Sequence, residues 1–475
     1  MSVAVVVGSG PNGLAAAVRL AQHGVRVTLL EAADVIGGGT RSSTRTVEGL
    51  LHDDCSAVHP LAVASPFFRS LALEEHGLRW LQPSIDIAHP LDDGEAGVVR
   101  RSLVETTAGM GEDGPAWRRL FGPFAGSFGA LADEVLAPPL HRPTRPMLLA
   151  RFGLRALPSA SWTAARWKLP HVRALFAGIA AHAAYSLRTP LSSAVGLFLG
   201  SAAHAHGWPV AQGGSRSISH ALGELLRGQG GVIETGVRVD SYDQLGRPDV
   251  VLLDTSPAAA AQIVGRRLPA SVAAAYRRYR YGPGVLKVDF AVRDGVPWTN
   301  RACRRSGTVH VGGTFEEIAR AERDVRRGVV PRAPFVLVGQ QYLADPTRSD
   351  GDVHPVWAYA HVPHASRAAG AEIVADQIER FAPGFRKRVV ATVVRTTRQL
   401  HLHNANYIGG DINGGANSPS QLLLRPRVAW NPYATGVPGV YLCSSSTPPG
   451  PGVHGMCGFH AANHALKYLG LVPAD

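Results

Sequence analysis

Val3-Ala4-Val5-Val6-Val7-Gly8-Ser9-Gly10-Pro11-Asn12-Gly13 is the stretch that decides the architecture of this 475-residue chain. Five consecutive apolar residues read as a parallel strand buried on both faces. They run into a Gly-x-Gly-x-x-Gly turn, and Leu14 to Ala21 then read as a helix that stops at Gly24, a C′ glycine. A second strand, Val25 to Leu30, delivers Glu31 at its carboxyl end. Each glycine answers a different steric demand. Gly8 permits the tight turn, Gly10 lets backbone approach a pyrophosphate, and Gly13 lets helix and strand pack closely. The helix N-terminus opened by Pro11 offers free N–H groups, from Asn12 onward, to phosphate oxygens. Glu31 can accept hydrogen bonds from ribose hydroxyls. Strand, loop, helix, strand and terminal acid in this order predict a Rossmann dinucleotide-binding unit in an α/β protein.

Working outward, Gly37-Gly38-Gly39-Thr40-Arg41 forms a second glycine-rich turn that an NAD unit does not require, and no second Gly-x-Gly-x-x-Gly followed by a helix occurs later. The expected ligand is therefore a single FAD. The length allows two domains with cores of their own. The net charge of +12 is almost all arginine, spread along the sequence outside any nucleic-acid module, so no nucleic-acid partner is expected. Cys55, Cys303, Cys443 and Cys457 make no CxxC pair and no metal-ligand spacing, which argues against dithiol chemistry and a metal site and for a reducing, cytoplasmic compartment. The start of the chain shows no signal-peptide pattern. The apolar stretches between Ala174 and Gly207 are interrupted by Arg188 and Pro190, too early for a spanning helix.

Three further blocks carry a resemblance. His52 to Pro60 follows the second turn. Gly207-Trp208-Pro209 opens a helix and a strand read over Val232–Val239, with Val250 to Asp254 after it. Near the end, a strand at Gly439 to Cys443 runs through Ser444-Ser445-Ser446-Thr447 into Pro448-Pro449-Gly450-Pro451-Gly452-Val453-His454-Gly455-Met456 and a helix. In these blocks the chain resembles the phytoene desaturase-like and flavin-containing amine oxidase superfamily, close to the pyridine nucleotide-disulfide oxidoreductase domain-containing group. The resemblance implies a glutathione reductase-like, two-domain FAD fold with an inserted α+β substrate domain. It places Gly38, Gly39, Thr40 and Arg41 along the cofactor and Val239 against the adenine. Ser445, Gly452, Val453, Gly455 and Met456 fall beside the ribityl chain and flavin. The Cys443 to Ser446 turn departs from the family in lacking the acidic residue many relatives place there.

The expected division is 1–85, 207–261 and 425–475 for the FAD domain, and 86–206 and 262–424 for the substrate domain. Pro170 to Gly207 reads as packed helices that form core, wall an apolar tunnel, or touch a membrane surface. Val285 to Val292 alternates like a half-buried strand. His401 and His403 would share a face on a strand, without a third metal ligand. The polar, glycine-rich stretch from His401 to Gly415 is a candidate cover for the site. His59, Asp411 and His454 are the candidate proton acceptors.

The function these readings imply is an FAD-dependent dehydrogenase or oxidase that desaturates a largely apolar small molecule by hydride transfer to flavin N5. Electrons would pass on to oxygen, a quinone or another carrier. The alternatives are an isomerase or cyclase of the same fold, and a flavin-free relative that binds a lipid or prenylated protein.

Overall fold

The computed structural model describes residues 1–367 and 370–473. Val3–Val7 (β1) is the middle strand of a five-stranded parallel sheet, between Arg26–Leu30 (β2) and Val250–Leu253. Val232–Glu234 extends the sheet beyond β2, and Val440–Leu442 extends it beyond Val250–Leu253. The apolar run of β1 is explained by its two covered faces. Ala4 and Val6 pack with the buried Ala-rich helix Pro11–Ala21 (α1), while Val5 and Val7 meet Ala260, Ile263, Val264, Val272 and Tyr276 on the other side. Each such Val or Ile contributes about 1.5–3 kcal/mol when taken fully from water.

That second face corrects the expected boundary at 261. Pro257–Val264 and Ala270–Arg278 are both helices of the nucleotide domain, because their apolar sides have no other sheet to cover. The strand expected over 232–239 also stops early, at Glu234. Gly236 turns the chain at φ +72°, and Val239 follows in irregular backbone.

The second sheet has seven strands, in the order Val389–Arg395, Gly284–Arg293, Val353–Val362, Val336–Gly339, Ser306–Val311, Ile85–Pro90, Ala96–Val99. All neighbours are antiparallel except Ser306–Val311 with Ile85–Pro90. Gly284–Arg293 is a central strand buried everywhere but at Arg293, not the half-buried one its alternation suggests. Its polar positions are hidden against the other domain: Lys287 pairs with Asp289, and His52 Nδ1 lies 3.4 Å from the same carboxylate. Buried charges also join the two domains where Arg348 bridges Asp53 (2.6 Å) and Asp345 (3.1 Å), and where Arg395 bonds Asp54 at 2.5 Å. Helices between Leu103 and His206 form a third mass against the second sheet. Pro170–Ala181 is almost wholly core, and Ser192–His206 packs beside it.

Candidate cofactor and active site

One cavity of about 940 Å³ runs from the glycine turn after β1 into the helical mass. At the turn, Gly8 has φ +99° and its N–H donates to Leu30 O at 2.8 Å, so the chain reverses tightly between strand and helix. A Cβ on Gly13 would overlap the Gly8 carbonyl, and one on Gly10 would sit 2.6 Å from Asp254 Oδ2. Glu31 is fixed by this loop: Oε2 accepts from the Ser9 N–H (2.9 Å) and hydroxyl (2.5 Å), and Oε1 accepts from the Ala33 N–H at 2.8 Å. Gly37 N–H donates to Ser9 O, and a Cβ on Gly38 would lie 3.1 Å from Gly10 Cα, so the two glycine turns stack against each other. Thr40 is buried there, its hydroxyl donating to Gly37 O at 2.8 Å. Arg41 Nη2 ties the turn to His403 O at 2.8 Å. Gly8, Gly10, Pro11, Asn12, Glu31, Gly38, Gly39, Arg41 and Val239 all line the cavity, and Asn12 Oδ1 is buried without a hydrogen-bond partner.

The chain's other end closes on the same place. Helix Met456–Tyr468 starts beside α1, and a Cβ on Gly458 would overlap the Asn12 carbonyl, so two helix N-termini meet at the cavity. Ser444, Ser445, Gly452 and Val453 line it; Gly455 and Met456 stand behind them at the helix start. Arg425 holds this turn through Ser445 O (3.2 Å) and Asn417 Oδ1 (2.6 Å), and Asn417 Nδ2 donates to Ala183 O at 2.9 Å. Beyond lie Leu337, Trp357, Tyr359 and Trp208, then Leu149, Phe152, Leu191, Val195, Phe198 and Leu199. Thus Ser192–His206 walls the cavity, whereas Pro170–Ala181 is core behind it.

The three candidate proton acceptors are not brought together. His59 lines the cavity. Ser215 directs its hydroxyl hydrogen to Ser56 O (2.7 Å), so the 2.8 Å contact to His59 must be Nε2–H donating to Ser215 Oγ. Nδ1 then carries the free lone pair, and burial pushes the imidazole pKa down to about 4, leaving the ring neutral. Asp411 and His454 do not reach the cavity. Asp411 accepts from Gly282 and Asn413 N–H groups (2.7 and 2.8 Å), with its pKa raised by burial. His454 Nδ1 accepts from Met456 N–H at 3.0 Å, and burial lowers its pKa to about 4. Both hold loops in place. His401 and His403 lie on helix Thr397–His403, started by a Thr396–Gln399 capping box, so the strand-based reading that put them on one face is corrected.

Two cavity residues escape sequence reasoning. Asp254, at the end of Val250–Leu253, places Oδ2 3.0 Å from Gly13 N, at the start of α1; burial, with Glu31 adding to it, raises its pKa to about 7. An acid closing a strand just before the Ser256 helix cap is the available signal. His182 lies on the wall with Nε2 3.0 Å from His310 Nε2, and burial pushes its pKa down to about 3. No local pattern foretells that meeting, because the two are 128 residues apart.

Residues 6–71 match the model of the NAD(P)-binding Rossmann-like domain family. The pyridine nucleotide-disulfide oxidoreductase domain-containing protein 2 of Mus musculus is 26% identical to this chain, over 98% of it and 93% of the mouse protein. The chain is thus similar, nearly end to end, to a protein named for an oxidoreductase domain, and it carries a Rossmann-like nucleotide-binding domain at its start. Solved structures of similar fold superpose over nearly the whole length of both partners. Putrescine oxidase superposes with a TM-score of 0.59 at 17% identity, covering 99% of each chain. An oxidoreductase from Methanosarcina mazei gives 0.62 at 14%, covering 98% of this chain and all of the other. The CLA-producing fatty acid isomerase from P. acnes gives 0.56 at 14%, covering 97% of each. At these identities the superpositions speak for the two-domain α/β fold alone. The mouse protein's name mentions disulfides, but all four cysteines here are unpaired.

Proposed function

We propose that the cavity holds FAD along the two glycine turns and that the protein dehydrogenates a largely apolar small molecule. The observation that carries this reading is the continuity of the cavity, from Gly8 and Glu31 to a wall of Leu, Val and Phe side chains. The residues fit the cofactor. Stacked glycines leave backbone bare where a side chain would intrude, the N-terminus of α1 faces the space, and Asn12 Oδ1 and Glu31 offer acceptors. When bound, FAD supplies N5 as hydride acceptor, and its electrons leave to oxygen, a quinone or another carrier.

The chain's own residues would do the rest. Glu31 orients the ribose hydroxyls. Gly452 and Val453 stand on the wall where negative charge gathers on reduction, and their backbone is placed to stabilise it. Trp357, Tyr359 and Leu337 orient the reacting carbon, and Phe152, Phe198 and Leu199 exclude water from its tail. His59, on the cavity wall, takes the proton lost beside the hydride.

The test is anaerobic mixing of the purified protein with a long-chain amine, a fatty acid and a linear polyene. Bleaching of the flavin by an apolar compound supports dehydrogenation. Product formation with the flavin still oxidised would replace it by isomerisation, and no flavin at all would favour the lipid-binding alternative. In His59→Gln, the reductive rate should fall by about 100-fold with flavin content unchanged.

A further inference from the structure

We propose that the outer face of residues 140–162 docks on an anionic lipid bilayer, so that the apolar end of the cavity opens onto the membrane surface. Helix Pro146–Ala156 turns Phe152 and Ala156 inward, where Phe152 packs on Phe124 and Phe198. Its outer stripe is Met147, Ala150, Arg151 and Leu154, with Met147 84% and Leu154 72% exposed. Solvent-facing helix positions are normally polar; here the outward stripe is largely apolar. Leu140 and Trp162, on either side of this helix in the sequence, are 62% and 64% exposed.

Charge selects the partner. From Val135 to Gly223 the sequence has no Asp or Glu, against eight arginines and one lysine. Arg142, Arg145, Arg151 and Arg166 are exposed among the apolar side chains, and none forms an ion pair among the described residues. The nearest acid, Glu134, is buried and engaged by His141, Thr144 and the Arg145 N–H. Exposed Met, Leu and Trp ringed by unpaired arginine is the composition of a segment lying in a lipid interface. No helix among the described residues is long and apolar enough to cross a membrane.

Position ties the face to the cavity. Leu157 on this side and Leu423 on the facing segment are both half or more exposed and part of the cavity wall, so they mark an opening at the edge of the patch. The surface extends beyond the proposed chemistry and stands whether or not that chemistry holds.

Flotation of the whole protein with phosphatidylcholine vesicles, with and without roughly one-third phosphatidylglycerol, tests it. The wild type should rise with the anionic vesicles and far less with the neutral ones, and added salt should release it. Arg142→Gln with Arg145→Gln should weaken binding about fivefold per arginine. Met147→Gln with Leu154→Gln should weaken it further, with the thermal midpoint unchanged because both side chains are outside the core. Failure to float with anionic vesicles, or equal binding by all variants, would overturn the proposal. So would a dimer on size exclusion that Met147→Gln with Leu154→Gln splits, which assigns the face to a second copy.

Discussion

Asp254 illustrates how a single carboxyl can tune a cofactor loop. Its Oδ2 sits at the start of α1, 3.0 Å from Gly13 N, in the space where a phosphate would approach, and burial lifts its pKa to about 7. An acid with a raised native pKa keeps its proton in the folded state after the unfolded chain has released it. Its contribution to stability is therefore full below about pH 4, falls as pH rises towards 7, and is level above. Asp254→Asn keeps an acceptor for the Gly13 N–H and removes the titration. Thermal unfolding followed against pH should show this variant more stable than wild type at pH 8, by up to about 4 kcal/mol, with no difference near pH 4. Flavin fluorescence quenching should show FAD affinity falling above pH 7 in the wild type alone. At this scale the sequence is legible where chemistry is local. Gly8, Gly10, Gly13 and Glu31 act within one loop, and their spacing alone groups them. Asp254 and His182 escape notice because their roles depend on partners more than a hundred residues away.

At the scale of elements, β1 and α1 are legible because a five-residue apolar run and an Ala-rich helix admit few other readings. Gly284–Arg293 is buried where its pattern suggests half-burial, because alternation reports polarity, and here the polar positions are buried in pairs such as Lys287 with Asp289. His401 and His403 fall on a helix because a capping box at Thr396 outweighs a spacing of two. The contact between α1 and Met456–Tyr468 leaves no mark in the sequence, since it joins residues more than four hundred positions apart, Gly458 against the Asn12 backbone and Arg19 donating to Asn463. A methyl group at Gly458 meets the Asn12 backbone, which cannot swing aside as a side chain could. Gly458→Ala should therefore lower stability by about 1–3 kcal/mol, measured by thermal denaturation. It should also loosen the cofactor, because the two helix N-termini are forced apart; Gly228→Ala, at a helix end where a Cβ would meet nothing, is the control for an added methyl group.

Across the whole molecule, the nucleotide domain is assembled from distant parts of the chain, and its sheet order cannot be read from any one of them. The substrate half is legible as helices and strands but not as a shape. The cavity exists because Ser192–His206, Pro146–Ala156 and the Asn417–Arg425 segment converge, through contacts such as Asn417 with Ala183. Buried bridges from Arg348 to Asp53 and from Arg395 to Asp54 then hold the two domains in register, so that the glycine turns and the apolar wall enclose a single space. The proposed FAD occupies that single space and should therefore travel with the purified protein. The most direct measurement is the identity and amount of flavin released when the purified, full-length protein is denatured. One FAD per chain, lost together with its colour in a Gly10→Val variant, is the predicted result; a colourless protein that neither carries nor takes up FAD would contradict it.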